Sequence, residues 1–190
     1  MMRTATASMA RGSTARGTVE FIRRAHGDAV LERVLATLDA DDRERLTGAA
    51  MTDELPYELM LRFWQAADAE LAPAHPRWME EAGAFAIDSL GQQLYWGLLR
   101  KSSPMEFVTQ SVSLFRLYYS PGDIVPVEVE PGRVVARLIG FDALGPLFCR
   151  RQTGGLRRAV ELAGGNKVRV THVRCVHEGD AYCEWELRWV

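Results

Sequence analysis

The 190-residue sequence predicts an α+β fold in which helices pack on one face of an antiparallel sheet of about four strands, formed mainly by the C-terminal third. Through most of the first 119 residues, apolar side chains recur every three or four positions, as they do in amphipathic helices. After Ser120-Pro121-Gly122 the apolar residues alternate with polar ones, as in strands. Because no strand-helix-strand repetition occurs, the sheet is predicted to be antiparallel.

The helical part of the sequence divides into segments that begin or end at proline, glycine or an acidic residue. Pro56 opens one helix, and Pro73 and Pro76 follow its end. The longest helix is apolar on more than one side, which is typical of a helix buried in a bundle or at an interface. The predicted helices cover residues 28–38, 41–46, 57–71, 78–101 and 103–119.

The C-terminal part predicts two hairpins separated by one helix. Apolar and polar residues alternate over residues 124–130 and again over residues 133–139, with the turn Pro131-Gly132 between them. A helix over residues 147–163 follows and is stopped by Gly164-Gly165. Two more strands are predicted over residues 168–177 and 181–190.

The domain organisation predicted from these patterns is a flexible leader over residues 1–17 and a single domain over residues 18–190. The leader carries three arginines and no acid, and it lacks the apolar segment of a secretory signal. An organelle transit peptide shares that composition and is the alternative. No apolar run approaches the roughly 20 residues that a membrane span needs, so we expect a cytoplasmic protein.

Charge and motifs exclude several classes of function. Residues 38–144 hold nine basic and seventeen acidic residues, which argues against a nucleic-acid-binding domain, because phosphate contacts need a basic face. The sequence patterns typical of serine hydrolases, zinc metalloproteases and nucleotide-binding loops are absent. We therefore expect a protein that is not an enzyme.

The final hairpin brings two of the three cysteines together. A loop of Glu178-Gly179-Asp180 would pair His177 with Ala181, and Cys175 would then lie opposite Cys183. Alternation along the last strand places Cys183 on its buried face, together with three apolar residues: Trp185, Leu187 and Trp189.

Cys149, in the first turn of the preceding helix, and His172 complete a possible Cys₃His set for tetrahedral zinc. His172 and Cys175 are three residues apart and point to opposite faces of a regular strand, so a shared metal requires a bulge. His177 is an alternative fourth ligand. The other interpretations are three buried thiols that pack as small apolar side chains, and a disulfide between Cys175 and Cys183.

Two further groups of residues are candidates for binding. Within the longest helix, Ser89, Gln93 and Trp96 continue one line of side chains into an apolar interior, a mixture that small-molecule pockets require. A helix-packing or dimer contact explains the same residues. Four arginines share one face of the helix over residues 147–163 and predict either a solvated face or a phosphate or partner contact: Arg150, Arg151, Arg157 and Arg158.

The C-terminal residues resemble the 4-vinyl reductase-like domain, whose ending carries a cysteine, a Gly-Asp turn and a second cysteine followed by an alternating strand. The resemblance rests on Phe148-Cys149, Gly154-Gly155-Leu156, Gly164-Gly165 and the pattern from Cys175 through Gly179-Asp180 and Cys183 to Trp189. The motif-level resemblance covers about 45 residues. Stand-alone bacterial members of the family that have a similar length look similar across the whole chain. The resemblance implies a superfamily shared with haem NO-binding sensor domains and TRAPP-like trafficking subunits.

That resemblance implies a sensing or adaptor module, often dimeric, with a possible small hydrophobic or aromatic ligand. In aromatic-sensing relatives the corresponding cysteines hold a structural zinc, and His172 here replaces an acidic ligand. Haem is expected to be unlikely, because the Tyr-x-Ser-x-Arg signature of haem NO sensors is missing and His75 lies between prolines. The alternatives are an enzyme acting on a small aromatic or tetrapyrrole substrate, and a partner-binding protein similar to trafficking subunits.

Overall fold

The computed structural model describes residues 7–94, 103–109 and 114–190. Within these residues, five helices form the N-terminal half and two follow later in the chain. All but the first, which the sequence did not predict, begin close to the predicted residues. The helices are α1 (Gly12–His26), α2 (Asp28–Ala36), α3 (Ala40–Gly48), α4 (Tyr57–Leu71), α5 (Trp78–Leu94), α6 (Pro104–Thr109) and α7 (Pro146–Leu162). The predicted helix over residues 103–119 is shorter, because α6 ends at Thr109 and a separate 3₁₀ turn covers Leu114–Leu117.

The strands form two antiparallel sheets. A small sheet contains β1 (Met9–Arg11), β2 (Glu54–Pro56) and β3 (Tyr119–Ser120), with β1 in the middle. The larger sheet contains β4 (Asp123–Glu130), β5 (Arg133–Ile139), β6 (Arg169–Arg174) and β7 (Glu184–Arg188) in the order β4-β5-β7-β6. The predicted α+β class, with a four-stranded antiparallel sheet in the C-terminal part, is confirmed.

Residues 9–17, which the sequence assigns to a flexible leader, are paired and packed in the structure. Residues 9–11 pair with both β2 and β3, and α1 begins at Gly12. Ala10 and Ala15 are buried in the core, so this segment is held by strand pairing and by apolar contacts. Composition alone did not reveal this, because a three-residue strand carries too little pattern to be recognised.

Helix α7 lies between the larger sheet and α5, and its contact with α5 is the most extensive between two helices. Two glycines permit the close approach. A Cβ atom at Gly83 would overlap the carbonyl group of Arg151, and one at Gly154 would overlap that of Glu80. The backbones of α5 and α7 therefore touch directly, which fixes the position of α7 on the sheet.

The larger sheet has an inner face that packs on α7 and an outer face of paired charges. Trp185 and Leu187 on β7 are fully buried on the inner face, as the alternation of this strand predicts. On the outer face, Arg133 donates to Glu186 and Arg137 donates to Glu184. No described helix is long and apolar enough to cross a bilayer.

Candidate metal centre and apolar pocket

Four metal-ligating side chains converge where the start of α7 meets the end of the larger sheet. One ligand atom from each of Cys149, His172, Cys175 and Cys183 lies within 4.8 Å of the others. The Sγ atoms of Cys149 and Cys183 are 3.6 Å apart, and all three cysteines are free thiols. Ligands bound tetrahedrally to zinc at about 2.0–2.3 Å are separated by roughly 3.3–3.8 Å, so this arrangement is close to a coordination shell.

Irregular backbone around β6 brings His172 and Cys175 to the same place. The pairing of β6 with β7 shifts register between His172 and Arg174, which is the bulge that a shared site demands. The strand ends at Arg174, earlier than predicted, and a 3₁₀ turn over Val176–Glu178 replaces its last residues.

The loop after β6 is closed by its own polar groups. The backbone N–H of Cys175 donates to Asp180 Oδ2 at 2.8 Å, and Gly179 takes the left-handed conformation with φ of 99°. These contacts hold Cys175 opposite Cys183. His177, the alternative fourth ligand, lies in the exposed 3₁₀ turn and is not part of the cluster.

Trp185 orients the histidine of the cluster. Its indole stacks on the His172 imidazole with ring centroids 4.8 Å apart and planes 22° from parallel. The indole N–H donates to Thr153 Oγ1 at 3.1 Å, which fixes the indole relative to α7. Nε2 of His172 is buried and has no hydrogen-bond partner within the described residues.

The cluster favours one thiolate beside a protonated thiol. A hydrogen bond from the Cys149 thiol, with a further contribution from His172, lowers the pKa of Cys183 to about 4. The same hydrogen bond raises the pKa of Cys149, and burial raises the pKa of Cys175. Thiolate sulfur and imidazole nitrogen are the donor set that zinc prefers in structural sites.

A separate apolar pocket lies farther along α7 and is lined by residues of α5, α6, α7, the 3₁₀ turn with β3, and the larger sheet. Its volume is about 90 Å³, and it is partly open. The lining is almost entirely aliphatic and aromatic, and the polar atoms near it come from two tyrosines and one glutamine: Tyr118, Tyr119 and Gln152. Apolar walls with a few polar groups are typical of small-molecule sites.

The three predicted ligand-binding residues do not line this pocket within the described part of the chain. Ser89 lines a different cavity of about 400 Å³ between the N-terminal helices and α5, and its buried Oγ has no hydrogen-bond partner there. Trp96 and the side chain of Gln93 lie outside the residues that the structure describes.

The four arginines of α7 separate into two environments. Arg150, Arg157 and Arg158 are partly exposed and pair with acidic residues, as expected of a solvated face. Arg151 differs, because it is only 3% exposed and its guanidinium lies over the Trp64 ring at 5.4 Å. Arg151 follows the buried Phe148 by three residues, so the two share one face of α7, and this spacing indicates that Arg151 is buried as well.

Comparisons at the sequence level give no relative: no protein-family model matches the chain, and no curated protein matches it. Solved structures do match in fold. An H-NOX protein from S. oneidensis in the Fe(II)NO ligation state has a TM-score of 0.73 at 14% identity, covering 95% of this chain and 99% of that one. The Fe(II) unliganded H-NOX protein from K. algicida has a TM-score of 0.71 at 8% identity, covering 95% and 96%.

A third similar structure concerns the modulation of haem redox potential through protein-induced porphyrin distortion. It has a TM-score of 0.66 at 10% identity and covers 94% of this chain and 99% of that one. The chain therefore has the fold of haem NO-binding proteins, in agreement with the superfamily that the C-terminal motif implies.

The expectation that haem is unlikely is overturned by these comparisons, because the proteins that share the fold bind haem. The expectation rested on a missing signature around residues 118–122 and on the position of His75, and these few positions were insufficient evidence. A binding pocket is formed by several elements, and a motif on one of them does not report on the others.

Proposed function

We propose that this protein is a non-enzymatic small-molecule-sensing module in which Cys149, His172, Cys175 and Cys183 hold a structural zinc ion. The observation that carries the proposal is the convergence of four zinc-type ligand atoms within 4.8 Å at the junction of α7 with the last hairpin. One ion would join four parts of the chain: α7, β6, the loop after β6, and the residue before β7. Structural zinc sites of this kind contribute directly to folding stability.

Metal analysis of protein purified without added zinc tests the proposed site. We expect about one equivalent of zinc per chain in the wild type. His172→Ala should lose zinc to a competing chelator at a concentration at least about tenfold lower than the wild type does, because one of four ligands is gone. His177→Ala is the matched control, since it removes a histidine from the same hairpin but outside the cluster, and it should retain zinc.

Two results would contradict the zinc site. One is a metal content below about a tenth of an equivalent in wild-type protein that is folded by circular dichroism. The other is equal zinc retention by His172→Ala and wild type, which would exclude His172 as a zinc ligand and contradict the four-ligand site.

For the sensing function, the apolar pocket between α5, α6, α7 and the larger sheet is the proposed ligand site. Haem is a candidate ligand because the proteins that share the fold bind it. A porphyrin is larger than the cavity of about 90 Å³, so haem binding would require the elements that line the pocket to move apart. Among the described pocket residues, Tyr119 fits an iron ligand: its hydroxyl is buried without a hydrogen-bond partner, and tyrosine is the haem ligand in some proteins. None of the four histidines lines this pocket.

Titration of the purified protein with haem, followed by its Soret absorption, tests this candidate. Saturation at one haem per chain that is lost in Tyr119→Phe supports it. A spectrum that does not saturate and matches that of free haem in the same buffer counts against it. Zinc content is measured on the same samples, so the two parts of the proposal are tested separately.

The homodimer and the partner-binding role predicted from the resemblance stay predictions. The large exposed apolar side chains of the described surface lie on strands, loops and a 3₁₀ turn: Val127, Val129, Ile139, Leu144, Val173, Val176 and Val190. Light scattering during size-exclusion chromatography measures the oligomeric state directly.

A further inference from the structure

Arg151 is a buried cation without an anionic partner. Both terminal nitrogens of its guanidinium are buried and have no hydrogen-bond partner within the described residues. Every aspartate and glutamate of the chain lies in the part that the structure describes, and none of them forms an ion pair with Arg151. The three neighbouring arginines of α7 all form ion pairs, so Arg151 is the exception on its own helix.

An unpaired buried charge is strongly unfavourable, so proteins keep one only where something compensates for it. The Trp64 ring supplies part of the compensation, because the guanidinium carbon lies 5.4 Å from the ring centroid. The ring interacts with the flat face of the guanidinium, so it provides no hydrogen-bond acceptor for the N–H groups that point outward in the guanidinium plane. Those groups form a planar fork that matches a carboxylate.

Tyr119 connects Arg151 to the apolar pocket. Its ring lines the pocket, and its hydroxyl is buried without a hydrogen-bond partner within the described residues. On α7, Arg151 lies one helical turn before Gly155, which also lines the pocket. Arg151 is not itself among the lining residues, so its charge lies beside the pocket and next to Tyr119. Burial raises the pKa of Tyr119 and Arg151 lowers it, as expected of a buried hydroxyl near a guanidinium.

We infer that the pocket takes an apolar monocarboxylate, with its carboxylate bound by Arg151 and Tyr119 and its apolar body against residues such as Ile87, Val108 and Leu156. This inference rests on the proposed sensing function and specifies the ligand class. One buried positive charge matches one negative charge, whereas a phosphate dianion would leave an excess negative charge in an apolar site. Without a movement of the elements around the pocket, the cavity volume of about 90 Å³ limits the body to one ring or a short alkyl chain.

Calorimetric titration with matched acidic and neutral probes tests the inference. The pairs are benzoate with benzyl alcohol, and hexanoate with hexanol. We expect wild-type protein to bind at least one acid about 50-fold more tightly than its alcohol, because the acid adds a charge-assisted bidentate contact. Arg151→Met should abolish that preference and leave alcohol binding within about threefold, since the apolar lining is retained.

Arg150→Met is the control variant, because it removes a partly exposed, paired arginine from the adjacent position and should keep the preference for the acid. Urea unfolding of Arg151→Met without probe provides a second measurement. We expect this variant to be at least as stable as the wild type, since an unpaired buried charge is replaced by an apolar side chain.

Equal affinity of acid and alcohol for the wild type would overturn the inference and leave the proposed apolar ligand site intact. Failure of both acids to bind at 10 mM would also overturn it, and failure of all four probes would count against the pocket as a ligand site. A large loss of stability in Arg151→Met would assign Arg151 to the core, against the inference.

Discussion

Thr153 joins the candidate metal centre to the core through a single hydroxyl group. Its Oγ1 accepts the indole N–H of Trp185 and donates to the carbonyl oxygen of Cys149 at 2.9 Å. Trp185 in turn stacks on His172, so this hydroxyl bonds to the backbone of one candidate metal ligand and orients another through the indole. The residue is half-buried on α7, and its side chain lies on the side that faces the sheet.

Thr153→Val keeps the shape of this side chain and removes its hydrogen bonds. We expect the free energy of unfolding to fall by about 1–3 kcal/mol, because the indole N–H of a fully buried tryptophan is left unpaired. Urea denaturation followed by tryptophan fluorescence measures the change.

Thr47→Val is the matched control for this prediction. The Thr47 hydroxyl makes the same kind of bond, to the carbonyl oxygen of Arg43 four residues earlier, but on the exposed surface of α3. Its replacement should cost less than about 0.5 kcal/mol. Equal effects of the two substitutions would mean that the contact with Trp185 contributes nothing to stability.

At the scale of elements, the crossing of α5 and α7 depends on glycine. We expect Gly83→Ala to lower the free energy of unfolding by about 3 kcal/mol, because its Cβ would overlap the carbonyl group of Arg151 and separate the helices. Gly48→Ala, at the last residue of α3 with open space around its Cβ, should be neutral or stabilising by up to about 1 kcal/mol. Thermal unfolding of both variants measures the difference.

The helices were predictable where their apolar periodicity is strong and their ends are marked. Helix α4 begins at Tyr57, after Pro56, and ends at Leu71, as predicted. The last hairpin was less predictable, because its loop depends on backbone bonds between Cys175, Glu178 and Asp180 that strand alternation does not encode. The short strand β1 pairs with residues more than 40 and 100 positions away, so local pattern carries no signal for it.

At the scale of the whole molecule, stability in acid is expected to depend on the charged outer face of the larger sheet. Hydrogen bonds from Arg188 and Arg133 lower the pKa of Glu186 from 4.5 to about 2. A lowered carboxyl pKa means that its contribution to stability is fully present above about pH 4.5 and is lost as the pH falls through 2.

Glu186→Gln should therefore reduce the free energy of unfolding by about 1 kcal/mol at pH 7, because the carboxylate is partly exposed, and by progressively less toward pH 2. Denaturant unfolding at a series of pH values measures the convergence. Glu32→Gln, at an exposed position without an ion pair in the described structure, should follow the wild type throughout. A constant difference between Glu186→Gln and wild type at all pH values would contradict the assignment.

The two candidate sites differ in how much of each could be predicted from the sequence. The candidate metal-ligating residues lie within the last 42 residues, where the predicted hairpin pairing brings Cys175 and Cys183 together. The apolar pocket and Arg151 depend on contacts among α4, α5, α6, α7 and the sheet, which are far apart along the chain. The predicted line of Ser89, Gln93 and Trp96 used one helix alone. Ser89 lies at a different cavity, and the side chains of Gln93 and Trp96 are outside the described residues.

Helix α7 carries residues of both sites. Cys149 lies in its first turn, and Leu156 lies seven residues later, about 10 Å along the axis at 1.5 Å per residue. Zinc and a pocket ligand would thus act on one rigid body, and a ligand that favours one position of α7 changes the affinity for zinc. Thermodynamic reciprocity requires zinc to change the affinity for that ligand by the same factor. The free zinc concentration would then set how sensitively the protein responds to its ligand.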